Sequence, residues 1–182
     1  NLIFFGVYSC GSISALLNGT IDSCGAPSAS APVLDGIDLV AVYESLKAGD
    51  SVVPSENPGT NQYSYTDPDG FKFLFSSQEN LNKYTADPTA YPLGAGGYCA
   101  LAVSGSDPAC DYDVCTGPAC LDSADTNMIG PDGKLYFFLG KGAKNIFEQD
   151  LDGNIAAVAD TVEEVEERQG VGCWNNEIFR CQ

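Results

Sequence analysis

The sequence predicts an α+β fold: a small antiparallel sheet packed with short helices, in a disulfide-rich chain. Three observations point there. Aromatic, β-favouring runs flank an Asp-Gly turn in "YSYTDPDGFKFLF" (63–75), which reads as a hairpin. Apolar residues recur at helical spacing elsewhere, most regularly at Leu151, Ile155, Val158, Val162 and Val165. Eight cysteines occur in a chain of 182 residues that has no histidine, a pattern of staples more than of zinc knuckles.

In chain order, residues 1–34 read as a Cys-closed N-terminal segment and linker. "LIFFGVY" is apolar enough to pack on a core, and "GAPSASAPVLD" (25–35) has the Pro, Ser and Ala content of an arm laid over a surface. Residues 35–168 form the main α+β body. "IDLVAVYESLKAGD" places Leu39, Val42, Tyr43 and Leu46 on one face of a short helix. After the 63–75 hairpin, Ser76 or Ser77 with Glu79 or Asn80 forms a capping box for a helix ending near Ala86, before Asp87-Pro88. "GGYCALAVS" (96–104) reads as a buried strand, and 105–130 as a long loop that needs staples. "GPDGKLYFFLG" repeats the turn-then-aromatic-strand pattern. The last helix carries Asp160, Glu163, Glu164, Glu166 and Glu167 on a solvated face, and 169–182 is a disulfide-stapled tail with Trp174 packed on the body.

The chain begins at Asn1, and its single methionine is Met128; we read a processed, secreted chain. The expected disulfide residues are Cys10, Cys24, Cys99, Cys110, Cys115, Cys120, Cys173 and Cys181, with local closure favouring Cys10–Cys24 and Cys173–Cys181. Asn18-Gly19-Thr20 is a glycosylation sequon, in keeping with an extracellular glycoprotein. The net charge of −17, with only 8 Lys and Arg scattered along the chain, excludes nucleic acid and anionic membranes as partners. It is compatible with plain solubility or with attraction of hard cations such as calcium. No apolar run approaches the roughly 20 residues of a membrane span.

Three stretches together, "GIDLVAVY" (36–43), "FKFLFSSQENLNKYTADPTAYPLGAGGYCALAVS" (71–104) and "GKLYFFLGKGAKNIFEQDLDGNIAAVAD" (133–160), resemble the YHS-domain proteins, in particular their small exported GGYCA-type branch. The S-x-E-N, DP, Tyr and GGYCA series carries the likeness, from Gly36 to Asp160. The resemblance implies an α+β domain, an extracytoplasmic setting and metal binding. The chain departs from the pattern in having no histidine, Leu39 at the opening proline and Phe147 at the late tryptophan.

Two readings of Cys99 stand side by side: half of a disulfide, or a metal ligand. With Asp111 and Asp113 of the acidic loop it makes the candidate metal set, for copper or calcium. Asp150–Asn154 does not fit a calcium-binding EF-hand loop, since Gly153 falls at position 4. A second candidate is a small-molecule pocket lined by Tyr43, Phe75, Tyr91, Gly97, Tyr98 and Phe138, beside Cys99; the same aromatics serve equally as core. A third is an acidic extracellular matrix protein that binds calcium weakly and diffusely. The absence of histidine removes a Cys–His nucleophile, and no G-x-S-x-G, P-loop or G-x-G-x-x-G motif occurs. The balance leans toward a binding protein over an enzyme.

Overall fold

The computed structural model describes residues 25–106, 117–170, 172–179 and 181. They form an α+β fold with two small antiparallel two-stranded sheets and several helices. The helices are α1 (Leu39–Lys47), α2 (Gln78–Ala86), α3 (Ala100–Val103), α4 (Lys141–Phe147) and α5 (Leu151–Gln169). The strands are β1 (Thr60–Thr66), β2 (Lys72–Phe75), β3 (Asn127–Ile129) and β4 (Leu135–Phe137), paired β1 with β2 and β3 with β4.

The 63–75 hairpin and most of the expected helices lie where the sequence puts them, and the aromatic run 135–137 is half of a second hairpin whose first strand, β3, lies in the segment expected as a long loop. Ser77 caps α2 by accepting the Asn80 N–H at 3.1 Å, and Asp67 closes the first hairpin by accepting the Phe71 N–H at 2.8 Å. A further element differs in kind. The segment expected as a strand at 96–104 is a 3-10 turn, Gly94–Gly97, followed by α3. Ala95, Gly96 and Gly97 all have positive φ, which turns the backbone sharply and excludes an extended run. A short apolar segment buried all round looks alike as strand or helix, and here the glycines decide.

The two halves of the chain are built on one plan. Leu34, Asp35 and Gly36 have positive φ, as do Ala95, Gly96 and Gly97. The Ile37 N–H closes the first turn on Leu34 O at 3.1 Å; the Tyr98 N–H closes the second on Ala95 O at 2.9 Å. Asp38 then makes a parallel bridge to Leu74 and caps α1, while Cys99 makes one to Phe137 and precedes α3. The hairpin turns match as well: Asp67 N–H to Phe71 O corresponds to Gly130 N–H to Lys134 O, both at 2.9 Å. Each hairpin leads into a helix that buries one aromatic ring, Tyr84 or Phe147.

Each half has its own apolar cluster, one around Val40, Phe73, Phe75 and Tyr84, the other around Tyr98, Leu101, Phe138 and Phe147. Strand β4 is the wall between them. Leu135 and Phe137 face the first cluster, Tyr136 and Phe138 the second, as the alternation of a strand requires. That explains the unbroken apolar run of "LYFF", a strand covered on both faces.

The C-terminal segment joins the halves. Asn175 is fully buried; its carbonyl accepts the Leu34 N–H and its N–H donates to Gly96 O, both at 2.8 Å, so it bridges the two left-handed turns. Trp174 packs edge-on against Phe73. The Pro/Ser/Ala arm is anchored rather than loose: the Gly25 N–H donates to the Tyr98 hydroxyl, and Ala26 and Ala31 carbonyls accept from Asn176. The expected Cys173–Cys181 closure is not formed. Cys181 is bonded to Cys120, because the Ile178–Phe179 backbone lies along Ala119 and carries the chain end to that side. Cys173 sits against Gly96 and is itself disulfide-bonded.

Candidate functional site

The stretch "GIDLVAVY" (36–43) meets "SSQEN" (76–80) at Asp38. Its side chain is fully buried and accepts four hydrogen bonds. Oδ1 takes the Ala41 N–H at 3.0 Å, capping α1. Oδ2 takes the Ser76 N–H at 2.7 Å, the Ser76 hydroxyl at 2.6 Å and the Asn80 side-chain amide at 2.7 Å. A buried carboxylate is tolerated when its lone pairs are filled this way. Asp38 therefore ties α1 to the start of α2 and does structural work. Sequence reasoning passed over it; the signal was an Asp directly before an apolar helical run.

The six residues proposed to line an aromatic pocket do not converge on one space. Tyr43, Phe75 and Tyr91 belong to the first cluster or pack against it, whereas Tyr98 and Phe138 belong to the second. Gly97 is buried with Leu34 and Asn175 against it. These groups are core, with specific hydrogen bonds. The Tyr43 hydroxyl donates to Gly133 O at 2.8 Å, and the Tyr98 hydroxyl accepts from Gly25 N–H and donates to Trp174 O. Burial pushes the Tyr98 hydroxyl up to about 12 and raises Tyr84 and Tyr136 as well, the last aided by its bond to Asp132.

Cys99 is buried, and its Sγ accepts the Leu139 N–H at 3.3 Å. Of the candidate metal ligands, Asp111 and Asp113 lie outside the described residues, as do Asn18, Cys10, Cys24, Cys110 and Cys115. Among the described residues no group of three Cys, Asp or Glu side chains is placed to hold a metal ion. Nor is any described helix long and apolar enough to cross a membrane.

An open cleft of about 340 Å³ lies beside the Cys120–Cys181 disulfide. Ile37, Pro58, Leu121 and Phe179 supply apolar surface, Ser55 a hydroxyl, and Asp35 and Asp122 two exposed carboxylates. Among the described residues no Lys or Arg lines it. Asp35 sits in the strained left-handed turn with φ +52, directly after Leu34 with φ +54. Two successive non-glycine residues in that region cost of order 1–3 kcal/mol each, a cost that gathers where function holds the backbone in place. The cleft joins elements distant in sequence, the 33–36 turn, the 54–58 loop, the 119–122 segment and the C-terminus, so no local pattern announces it. A second groove of about 280 Å³ lies between the 93–95 turn and α5, where Lys134 is accompanied by Glu163 and Glu166.

No protein-family model, curated protein or solved structure matches the chain.

Proposed function

We propose that the chain is a secreted, disulfide-rich binding protein of YHS type whose ligand is a small organic cation with an apolar body, held in the cleft of Asp35 and Asp122. The observation that carries the reading is the lining of that cleft: two carboxylates and a hydroxyl over Ile37, Pro58, Leu121 and Phe179, with no basic side chain among the described residues. Its volume falls in the range of small-molecule sites, and sites of that kind combine an apolar floor with a few orienting polar groups. A chain charge of −17 raises the local concentration of any cation. Membership of the YHS-type proteins is supported by the convergence of their shared motifs on Asp38, and secretion by the disulfide bonding of Cys120, Cys173 and Cys181.

The test is a calorimetric titration with benzyltrimethylammonium against the same titration with calcium. One saturable equivalent for the organic cation, weakened tenfold or more by Asp122→Asn, supports the reading. Saturable calcium binding at one equivalent, with no heat from the ammonium, replaces it with the metal reading through Asp111, Asp113 and Cys99. Many weak, unsaturated calcium sites point instead to an acidic matrix role.

A further inference from the structure

We infer that the Cys120–Cys181 disulfide is a redox-labile tether for one wall of the cleft, an inference that rests on the binding reading above for its functional consequence. The two ends of this bond are held very differently. Cys120 is buried, its N–H donates to Phe138 O at 2.9 Å, and its carbonyl accepts the Thr126 hydroxyl at 2.9 Å, so it is part of the β4 wall. Cys181 is exposed. Within the tail, Asn175 closes a local turn: its Oδ1 accepts the Ile178 N–H at 3.1 Å and its Nδ2 donates to Ile178 O at 3.1 Å. Among the described residues, three features tie this turn to the 119–120 segment: the Ala119 N–H bond to Ile178 O at 3.2 Å, the packing of Phe179 against the first apolar cluster, and the Cys181 disulfide. Phe179 and Cys181 are the cleft's C-terminal wall, whereas Asp35, Ser55 and Asp122 lie on elements held from elsewhere.

The chemistry needs a dithiol reductant. One of its thiolates attacks Sγ of Cys181, the S–S bond breaks, and Cys120 leaves as a thiolate that takes a proton. The second reductant thiolate then displaces Cys181 in the same way. The chain gains two electrons and two protons as two thiols, and the reductant departs as its disulfide. With the bond gone, residue 181 leaves the wall and the pairing of the tail with Ala119 loosens, while the rest of the cleft persists.

The experiment compares wild type with the Cys120→Ser/Cys181→Ser variant, which leaves the other cysteines intact, by residue-level hydrogen exchange and by benzyltrimethylammonium titration. The Ala119 amide should exchange at least tenfold faster in the variant. The Cys120-position amide, bonded to Phe138 O, and the Ser55 amide, bonded to Leu121 O, should keep their protection. Affinity for the ammonium should fall tenfold or more, and brief dithiothreitol treatment of wild type should reproduce both effects. Unchanged exchange at Ala119 overturns the tether. Loss of protection at all three amides overturns it too, since the bond would then be a staple of the whole fold. If the oxidised protein binds no ammonium, the binding reading fails, and the Ala119 amide alone decides the tether.

Discussion

Asp38 and Cys99 hold the same place in the two halves of the molecule, one as a carboxylate and one as a sulfur. Asp38 Oδ2 accepts the N–H of Ser76 at 2.7 Å; Cys99 Sγ accepts the N–H of the corresponding Leu139 at 3.3 Å. Both precede a helix and bridge the second strand of their hairpin. In the first half the position is polar throughout, because Ser76 and Asn80 answer the carboxylate. In the second half Leu139 and Ala143 stand at the matching positions, both packed against the apolar cluster.

This difference predicts an asymmetric response to mutation. Asp38→Ala leaves four donors without their acceptor in a site closed to water and should cost about 3–5 kcal/mol in urea unfolding. Ser76→Ala removes one of the four and should cost only about 1 kcal/mol. Equal costs for the two would contradict the hub.

The left-handed turns predict a contrast between glycines. A Cβ at Gly96, where φ is +58, runs into the Cys173 carbonyl, so Gly96→Ala should cost about 2–4 kcal/mol and loosen the Asn175 bridge. At Gly133, φ is +80 but nothing lies within 4 Å, so Gly133→Ala should cost about 1–2 kcal/mol, the conformational part alone. Thermal or urea unfolding of the two variants checks the ranking.

Alkaline pH should unfold the protein through its buried tyrosines. The Tyr98 hydroxyl is raised to about 12 against an ordinary value of 10.0, mainly by burial, so the native state keeps its proton where the unfolded chain loses it. Between those values the native state binds more protons, and stability falls as pH rises. Tyr84 and Tyr136 shift in the same direction and deepen the fall. The contribution is complete below pH 10 and lost as pH climbs through about 12. Ultraviolet titration should show these phenols ionising only with the unfolding transition; ionisation well before it contradicts their burial.

Salt should stabilise the chain. The ion pairs of Lys83 with Glu44 and Glu79 and of Lys141 with Asp125 are exposed, screened by solvent, and contribute little. The net charge of −17 repels itself at low ionic strength, and screening relieves it. The urea midpoint should rise between 10 and 500 mM sodium chloride, which a fold held by surface ion pairs would not show.

Asp35 should trade stability against binding. Asp35→Gly frees an exposed residue from the left-handed region and should leave stability unchanged or raise it by up to about 1 kcal/mol, while weakening ammonium binding tenfold or more. A variant that loses stability and binding together would place Asp35 in the framework, not the site.

The first hairpin and the second strand of the other were legible because each pairs a turn dipeptide with an aromatic strand, and α5 because its stripe persists over about four turns; β3, three residues inside an expected loop, was not. The 94–103 segment was not, since residues covered on every side carry no periodicity, and only the glycine run hinted at the turn. The kinship of the halves showed in sequence as a repeated turn-then-strand. The equivalence of "LDGIDLVAV" and "AGGYCALAV" emerges from φ angles and hydrogen bonds that few shared letters encode. The cleft was least legible of all. Its two carboxylates, Asp35 and Asp122, meet only through the fold, and Asp35 advertises itself by a backbone angle that no sequence pattern displays.

The most direct test of the cleft is a two-dimensional ¹⁵N–¹H NMR titration with benzyltrimethylammonium. Saturable shifts should be confined to the amides of Asp35, Ile37, Ser55, Leu121, Asp122 and Phe179, with Asp160, Glu163 and Glu164 on the acidic face of α5 unmoved. Shifts spread over α5 and growing without saturation would contradict binding in the cleft, leaving only a diffuse attraction of cations to an acidic surface.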